Sequence, residues 1–308
     1  MDPIRNIAII GAGAMGAFYA SRFFDMDPGS VSLVAEGERY ERLSRHGLVV
    51  NGKNYPVPVI RPDDPAPPSD LVLVAVKAHH LEKALQDMSG RVGEGTILMS
   101  VMNGIDSEEH LGAAFGMEKV LYAVALGIDS VRQGNRVAYT NPGVVHFGEA
   151  KNPVISERVR RVQRLLDAAG IPWETPEDMI RTLWWKFMIN VGVNQISAVL
   201  RAPYGVFQRS EEAVKLMEWA MEEVISVAAE KGVNLGPEDI GNWRRVLMSL
   251  GPEGKTSMLQ DVEAGRKTEV EIFAGRVMEL GDAHGLQVPV NRVLYQIIRV
   301  AEKSGTLI

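Results

Sequence analysis

The chain has 308 residues, 46% of them hydrophobic and 23% charged, a soluble globular composition long enough for two domains. A net charge of −6, with no basic tract and no aromatics interleaved with Lys and Arg, argues against nucleic acid or an anionic membrane as partner. The absence of cysteine excludes disulfides and thiolate metal sites, and neither a membrane-length apolar run nor a secretory leader is visible, so a cytoplasmic location is expected.

The first half alternates short apolar runs with helical stretches. "NIAII" (6–10), "VSLVA" (31–35), "LVLVAV" (71–76) and "TILMSV" (96–101) read as buried parallel strands. "AMGAFYASRFF", "HHLEKALQDM" and "SEEHLGAAF" read as the helices between them. That order predicts βαβ units and a doubly wound sheet. "GLVVNGKNYPVPVI" (47–60) reads as a hairpin turning at Asn51-Gly52, and residues 119–149 as further antiparallel strands. A helix near 155–169 and "IPWET" close this α/β domain, placed at 1–177. Strand signals then nearly vanish. Segments 178–201, 210–232, 237–249, 257–284 and 290–303 predict an all-helical domain over 178–308, separated at "APYG", "KGVNLGP" and "GPEGK".

"GAGAMG" follows the first strand and opens a helix, placing Gly11, Gly13 and Gly16 in the spacing that cradles a dinucleotide pyrophosphate, with Ala14 and Met15 in the first helical turn. The plain alternative is a glycine-rich turn. Glu36 ends the second strand, where a carboxylate accepts hydrogen bonds from a ribose 2′-hydroxyl and repels a 2′-phosphate. By that chemistry the cofactor is NAD, unless Arg39 takes a phosphate; a solvated loop residue is the other reading. Lys77 and Asn103 each follow a parallel strand, at the edge where such sheets bind ligands. The six histidines form no metal constellation, so no metal is expected.

In "LWWKFMINVGVN" (183–194) the polar residues Lys186, Asn190 and Asn194 recur every four positions and share one helix face. Buried polar groups need partners, so this face meets either another helix across a polar seam or a substrate. Its place just after the domain junction favours substrate, since ligand sites favour such junctions. A lysine flanked by Trp184, Trp185 and Phe187 has its pKa lowered by desolvation, which suits a proton donor to a ketone accepting hydride. In "KTSMLQDVEAGRKTEVE" (255–271), Ser257 and Glu269 would lie about 18 Å apart on a straight helix, too far for one small substrate unless the chain bends.

"GAGAMG", "VAVKA", "NGI", "LWWKFMINVGVN" and "TSMLQDVEAGRKTEVE", in that order along nearly the whole chain, resemble the ketopantoate reductase (2-dehydropantoate 2-reductase) family. The resemblance implies reduction of ketopantoate to pantoate with NADPH, in pantothenate biosynthesis. It also implies a helical domain similar to the C-terminal domain of 6-phosphogluconate dehydrogenase, serving substrate binding and compatible with a homodimer. It implies that Lys186 is the general acid, that Asn190, Asn194 and Ser257 hold substrate, and that Asn103 sits between nicotinamide ribose and substrate. Lys77 would lie near the cofactor and Glu269 at its nicotinamide end. Three positions depart from the family pattern. Glu36 replaces an arginine for the 2′-phosphate, which opens the site to NADH. Tyr204 and Gly254 replace asparagines that hold substrate, which leaves a related 2-oxo acid as the alternative; a non-catalytic dinucleotide-binding regulator is the third reading.

Overall fold

The computed structural model describes residues 2–134 and 136–304. The chain divides into two compact units, Met1–Thr182 and Leu183–Ile308. The division falls inside a helix, a few residues beyond the 177/178 boundary placed from the sequence.

Among its described residues the first unit has twelve strands: β1 (Ile7–Ile10), β2 (Val31–Val34), β3 (Leu48–Val50), β4 (Lys53–Tyr55), β5 (Val59–Ile60), β6 (Leu71–Val74), β7 (Ile97–Ser100), β8 (Val120–Leu126), β9 (Val131–Gln133), β10 (Arg136–Ala138), β11 (Val144–Gly148) and β12 (Trp173–Glu174). Helices α1 (Ala14–Met26), α2 (Gly37–His46), α3 (Leu81–Met88), α4 (Ser107–Phe115) and α5 (Glu157–Ala168) connect or flank them. The main sheet has the order β12-β11-β8-β7-β6-β1-β2-β5. From β5 to β8 every pairing is parallel; β11 then runs antiparallel to β8. The chain moves outward from β1 to β2 and β5, then returns to β6 on the other side of β1. This reversal is the switch point at which open α/β sheets bind ligands. Strands β1 and β6 are buried at every position, which is why they read as unbroken apolar runs.

A small second sheet, β4-β3-β10-β9, differs from the expected long hairpin. Asn51 (φ 48°) and Gly52 (φ 80°) do turn β3 into β4, with both residues left-handed as a tight hairpin turn requires. The second arm stops at Tyr55, however, and Val59–Ile60 leave the hairpin to pair in parallel with β2. The described residues of the 119–149 region form β8 to β11, of which β8 joins the main sheet in parallel with β7 and β11 antiparallel to β8.

The second unit is helical. α6 (Met179–Ile189) runs into a π turn over Asn190–Asn194 and continues as α7 (Gln195–Leu200). Then come α8 (Tyr204–Arg209), α9 (Glu211–Glu230), α10 (Pro237–Ser249), α11 (Ser257–Glu263), a second π turn at Glu271–Gly275, α12 (Arg276–His284) and α13 (Pro289–Ser304). "APYG" is thus not merely a separator, since Tyr204 begins α8. The expected single helix over 257–284 is two helices joined through residues 264–270, with Gly265 at φ +62° beyond the end of α11. Helix α9 buries Met217, Met221 and Val224. Gly192 in the first π turn lies so close to α9 that a Cβ there would stand 2.5 Å from the Met221 side chain. Among the described residues, no helix is long and apolar enough to cross a membrane.

Candidate active site

In the first unit the carboxyl ends of β1, β6 and β7 lie side by side, since Ile10 pairs with Val74 and Val74 with Ser100. Their continuations carry the glycine turn, Lys77 and Asn103, so the sheet brings these three to one edge. Gly11 sits at φ +105°, and a Cβ there would lie 2.6 Å from the carbonyl oxygen of Ala75. A Cβ on Gly16 would fall 1.7 Å from the carbonyl oxygen of Gly11. Both glycines are therefore demanded by the turn and by helix-on-strand packing. Gly13 is different: its nearest neighbour would be 3.9 Å away, so the fold leaves that space open. Gly13 is also the N-cap of α1 and offers no capping side chain, leaving the amides of Ala14, Met15 and Gly16 without side-chain acceptors from the cap. An open approach beside a helix N-terminus fits a pyrophosphate.

Glu36 is the N-cap residue of α2, in extended conformation, and its side chain does not cap the helix. Instead one carboxylate oxygen lies 2.7 Å from Nζ of Lys83 on α3, and the same ammonium bonds Asp87 at 2.5 Å. Sequence reasoning missed Lys83. Nothing in "HHLEKALQDM" marks it, because the contact joins segments separated by the chain's return through β6. Lys77 precedes a 3-10 turn at Ala78–His80 and is half-buried, as is Asn103.

In the second unit, Lys186, Asn190 and Asn194 lie along the helix and into its first π turn. Lys186 is half-buried, whereas Asn190 and Asn194 are buried. The Lys186 pKa is lowered to about 8, chiefly by burial, and the charge of Glu269 opposes that fall. Aromatic rings line this stretch: Trp184 stands edge-on to Phe187 at 5.7 Å, and Phe187 is 6.5 Å from Phe273 of the second π turn. The amide nitrogen of Asn194 reaches both Asn190 Oδ1 (3.4 Å) and Ser257 Oγ (3.3 Å). Ser257 is in place because Thr256 caps α11, accepting from the Leu259 N–H while donating to Ser197 Oγ. The turn after α11 removes the distance a straight helix would impose, and it leaves Glu269 buried and close enough to act on Lys186. The five predicted residues of this unit thus lie on α6 and the π turn that follows it, at the start of α11, and in the connection that leads into the second π turn.

Tyr204 and Gly254, the two departures at the substrate end, are packed on one another. The Tyr204 N–H donates to the Gly254 carbonyl at 2.9 Å, and a Cβ on Gly254 would meet the Tyr204 ring at 2.8 Å. An asparagine at 254 is therefore incompatible with this placement of the tyrosine. Among the described residues, no cluster of His, Asp and Glu could hold a metal ion.

The family model described as "Ketopantoate reductase PanE/ApbA" matches residues 7–152, and its C-terminal counterpart matches residues 178–302. The chain belongs to the ketopantoate reductase family. By that membership it is an NAD(P)H-dependent oxidoreductase with a Rossmann-type domain followed by a helical one. It is 29% identical to the 2-dehydropantoate 2-reductase of Archaeoglobus fulgidus, over 98% of this chain and 99% of that protein. A ketopantoate reductase of this family from Ralstonia eutropha superposes with a TM-score of 0.84 at 27% identity, covering 98% of this chain and 99% of that one. A D-mandelate dehydrogenase, solved with NADH and anilino(oxo)acetate, gives a TM-score of 0.88 at 23% identity over 97% and 99% of the two chains; this likeness is one of fold.

Proposed function

We propose that this enzyme reduces a 2-oxo acid, with ketopantoate as the first candidate, to the corresponding 2-hydroxy acid. The observation that carries this reading is the Lys186 amine, held at a pKa of about 8 in register with Asn190 and Asn194, the latter in turn reaching Ser257 of α11. A reduced nicotinamide, when bound, would supply hydride to the carbonyl carbon. Lys186 donates its proton to the carbonyl oxygen as negative charge develops there, completing the alcohol. A donor near pKa 8 is mostly protonated at neutral pH yet a stronger acid than an ordinary lysine, which is the compromise general acid catalysis favours. Burial supplies the acidity, and Glu269 keeps the charged form populated. The amides of Asn190 and Asn194 and the Ser257 hydroxyl offer donors and acceptors suited to a carboxylate and a hydroxyl.

The Gly11–Gly16 turn would hold the dinucleotide pyrophosphate, with Lys77 and Asn103 along the same strand edge. NADPH is the leading cofactor, with weak discrimination against NADH because Glu36 stands at the ribose-reading position. The packed Tyr204–Gly254 pair supports a second reading, a different 2-oxo acid, since it replaces two polar side chains with one aromatic ring. Steady-state turnover of ketopantoate and other branched or aromatic 2-oxo acids, each with NADPH and NADH, tests both readings. Ketopantoate turning over with the highest kcat/KM supports the first; an aromatic 2-oxo acid ahead of it supports the second. No turnover with any of them refutes the proposal.

A further inference from the structure

The two π turns of the helical unit are joined by one side chain. Gln195, fully buried, follows directly on Asn194. Widening a helix from i→i+4 to i→i+5 bonding leaves backbone groups short of their usual partners. In the first π turn, Gln195 Nε2 donates to the Val191 carbonyl at 2.8 Å. In the second, the N–H groups of Phe273 and Gly275 both donate to the Val270 carbonyl. The Ala274 N–H between them donates instead to Gln195 Oε1, at 3.2 Å. Gln195 therefore answers one acceptor in the turn that carries Asn190 and Asn194, and one donor in the turn that follows Glu269.

Gln195 is itself held from behind. Its Nε2 also reaches Asn291 Oδ1 at 3.2 Å, and Asn291 Nδ2 donates to Glu223 at 2.7 Å. Glu223 further accepts the backbone N–H groups of Val290 and Asn291, at 2.7 and 2.9 Å. This chain of buried amides and one carboxylate ties α9, α13 and both π turns together. A buried polar network fully supplied with partners specifies one arrangement, because any slip leaves a group unpaired.

We propose that Gln195 is a positioning residue, setting the Lys186 amine against Glu269 by clamping the two π turns together. The inference rests on the reading of Lys186 as proton donor, and goes beyond it in naming what holds the donor in place. Without the clamp, the Glu269 turn is free to shift relative to the Lys186 helix, and the surroundings of the amine change with it.

The test compares the intact wild-type chain with Gln195→Leu, which removes all three bonds at similar volume, and Gln195→Glu, which keeps an acceptor for Ala274 but cannot donate to Val191. The rate of reductive methylation of Lys186 by formaldehyde, followed by peptide mass spectrometry across pH, reports the amine without requiring turnover. Gln195→Leu should move the midpoint of that profile down by a pH unit or more, because the Glu269 charge that favours the protonated amine draws away, and lower kcat for ketopantoate at least tenfold, with KM for the dinucleotide within twofold. Gln195→Glu should fall between the two. A folded Gln195→Leu protein with a wild-type midpoint overturns the proposal, even if its Tm has fallen, since that is what a merely structural role predicts. Should Gln195→Leu not fold, Asn291→Ala, which removes only the support from behind, must move the midpoint in the same direction by a smaller amount. An unchanged midpoint there also overturns the proposal. Absence of turnover in the wild-type protein would refute the proposed reaction, while the methylation profile would still decide the role of Gln195.

Discussion

The glycine turn after β1 and the polar face of α6 reach their tasks by opposite means. At the turn, backbone does the work: Gly11 and Gly16 are excluded from bearing side chains by contacts of 2.6 and 1.7 Å, and a helix N-terminus is presented without a capping side chain. On α6 and its π turn the side chains carry the arrangement: Asn194 meets Ser257 of α11 and the charge of Glu269 reaches Lys186, both partners coming from distant segments. A backbone site is built within one short stretch of chain, and substitution breaks it by steric overlap. A side-chain site is assembled over long sequence separations, and substitution breaks it by chemistry.

The largest effect expected from this contrast is at Lys186. Lys186→Ala should lower kcat by about 10²–10⁴-fold, the usual contribution of an aligned general acid. Dinucleotide affinity, measured by fluorescence titration, should stay near wild type; equal losses in both would erase the division of labour. The glycines give the next test. Gly13→Ala has room for its methyl group and should fold with unchanged Tm, but weaken dinucleotide binding about tenfold by narrowing the approach to the α1 amides. Gly16→Ala should instead fail by destabilisation, because its Cβ overlaps the Gly11 carbonyl. Equal behaviour of the two variants would mean that the space at Gly13 has no ligand role.

Cofactor choice sharpens the comparison within the first unit. Glu36→Arg removes the carboxylate that pairs with Lys83 and places two cations near the ribose-reading position. The ratio of kcat/KM for NADPH over NADH should rise by about tenfold, roughly 1.4 kcal/mol and of the size expected for a close charge in a hydrated site. A wild-type enzyme that already rejects NADH by several orders of magnitude would contradict this. The smallest effect concerns Glu108, a buried carboxyl outside both sites, bonded to Ser107 and raised to about 7 by burial. A folded pKa above the unfolded value of about 4.5 gives stability that is full below pH 4.5 and lost as pH rises through 7. Glu108→Gln should therefore be more stable than wild type at pH 8, on the order of 2 kcal/mol or a few degrees in Tm, with kcat unchanged. A lower Tm for the variant at pH 8 would refute that sign.

Much of this was legible in the sequence, for reasons that differ by segment. Strands β1 and β6 announce themselves because burial on both faces makes them continuously apolar, and β2 and β7 nearly so, each interrupted by one serine. The glycine spacing is a local property, and so is the four-residue recurrence of Lys186, Asn190 and Asn194. The π turns were not legible, since a single inserted residue leaves the apolar pattern of α6 almost undisturbed. Nor was the break in 257–284: Arg266, Lys267 and Glu269 favour helix, and only Gly265 signals a stop. The Glu36–Lys83 pair and the Gln195 clamp are products of tertiary structure. No spacing along the chain encodes them.

The pH dependence of kcat for 2-oxo acid reduction tests the central claim most directly. With Lys186 near 8 and active only when protonated, kcat should hold steady through neutrality, then fall about tenfold per pH unit above 8. The oxidation of the 2-hydroxy acid, which needs the neutral amine, should rise over the same range. Reduction that stays level to pH 10 would contradict the account, because an amine with the ordinary lysine pKa, or no amine at all, would then be serving the carbonyl oxygen.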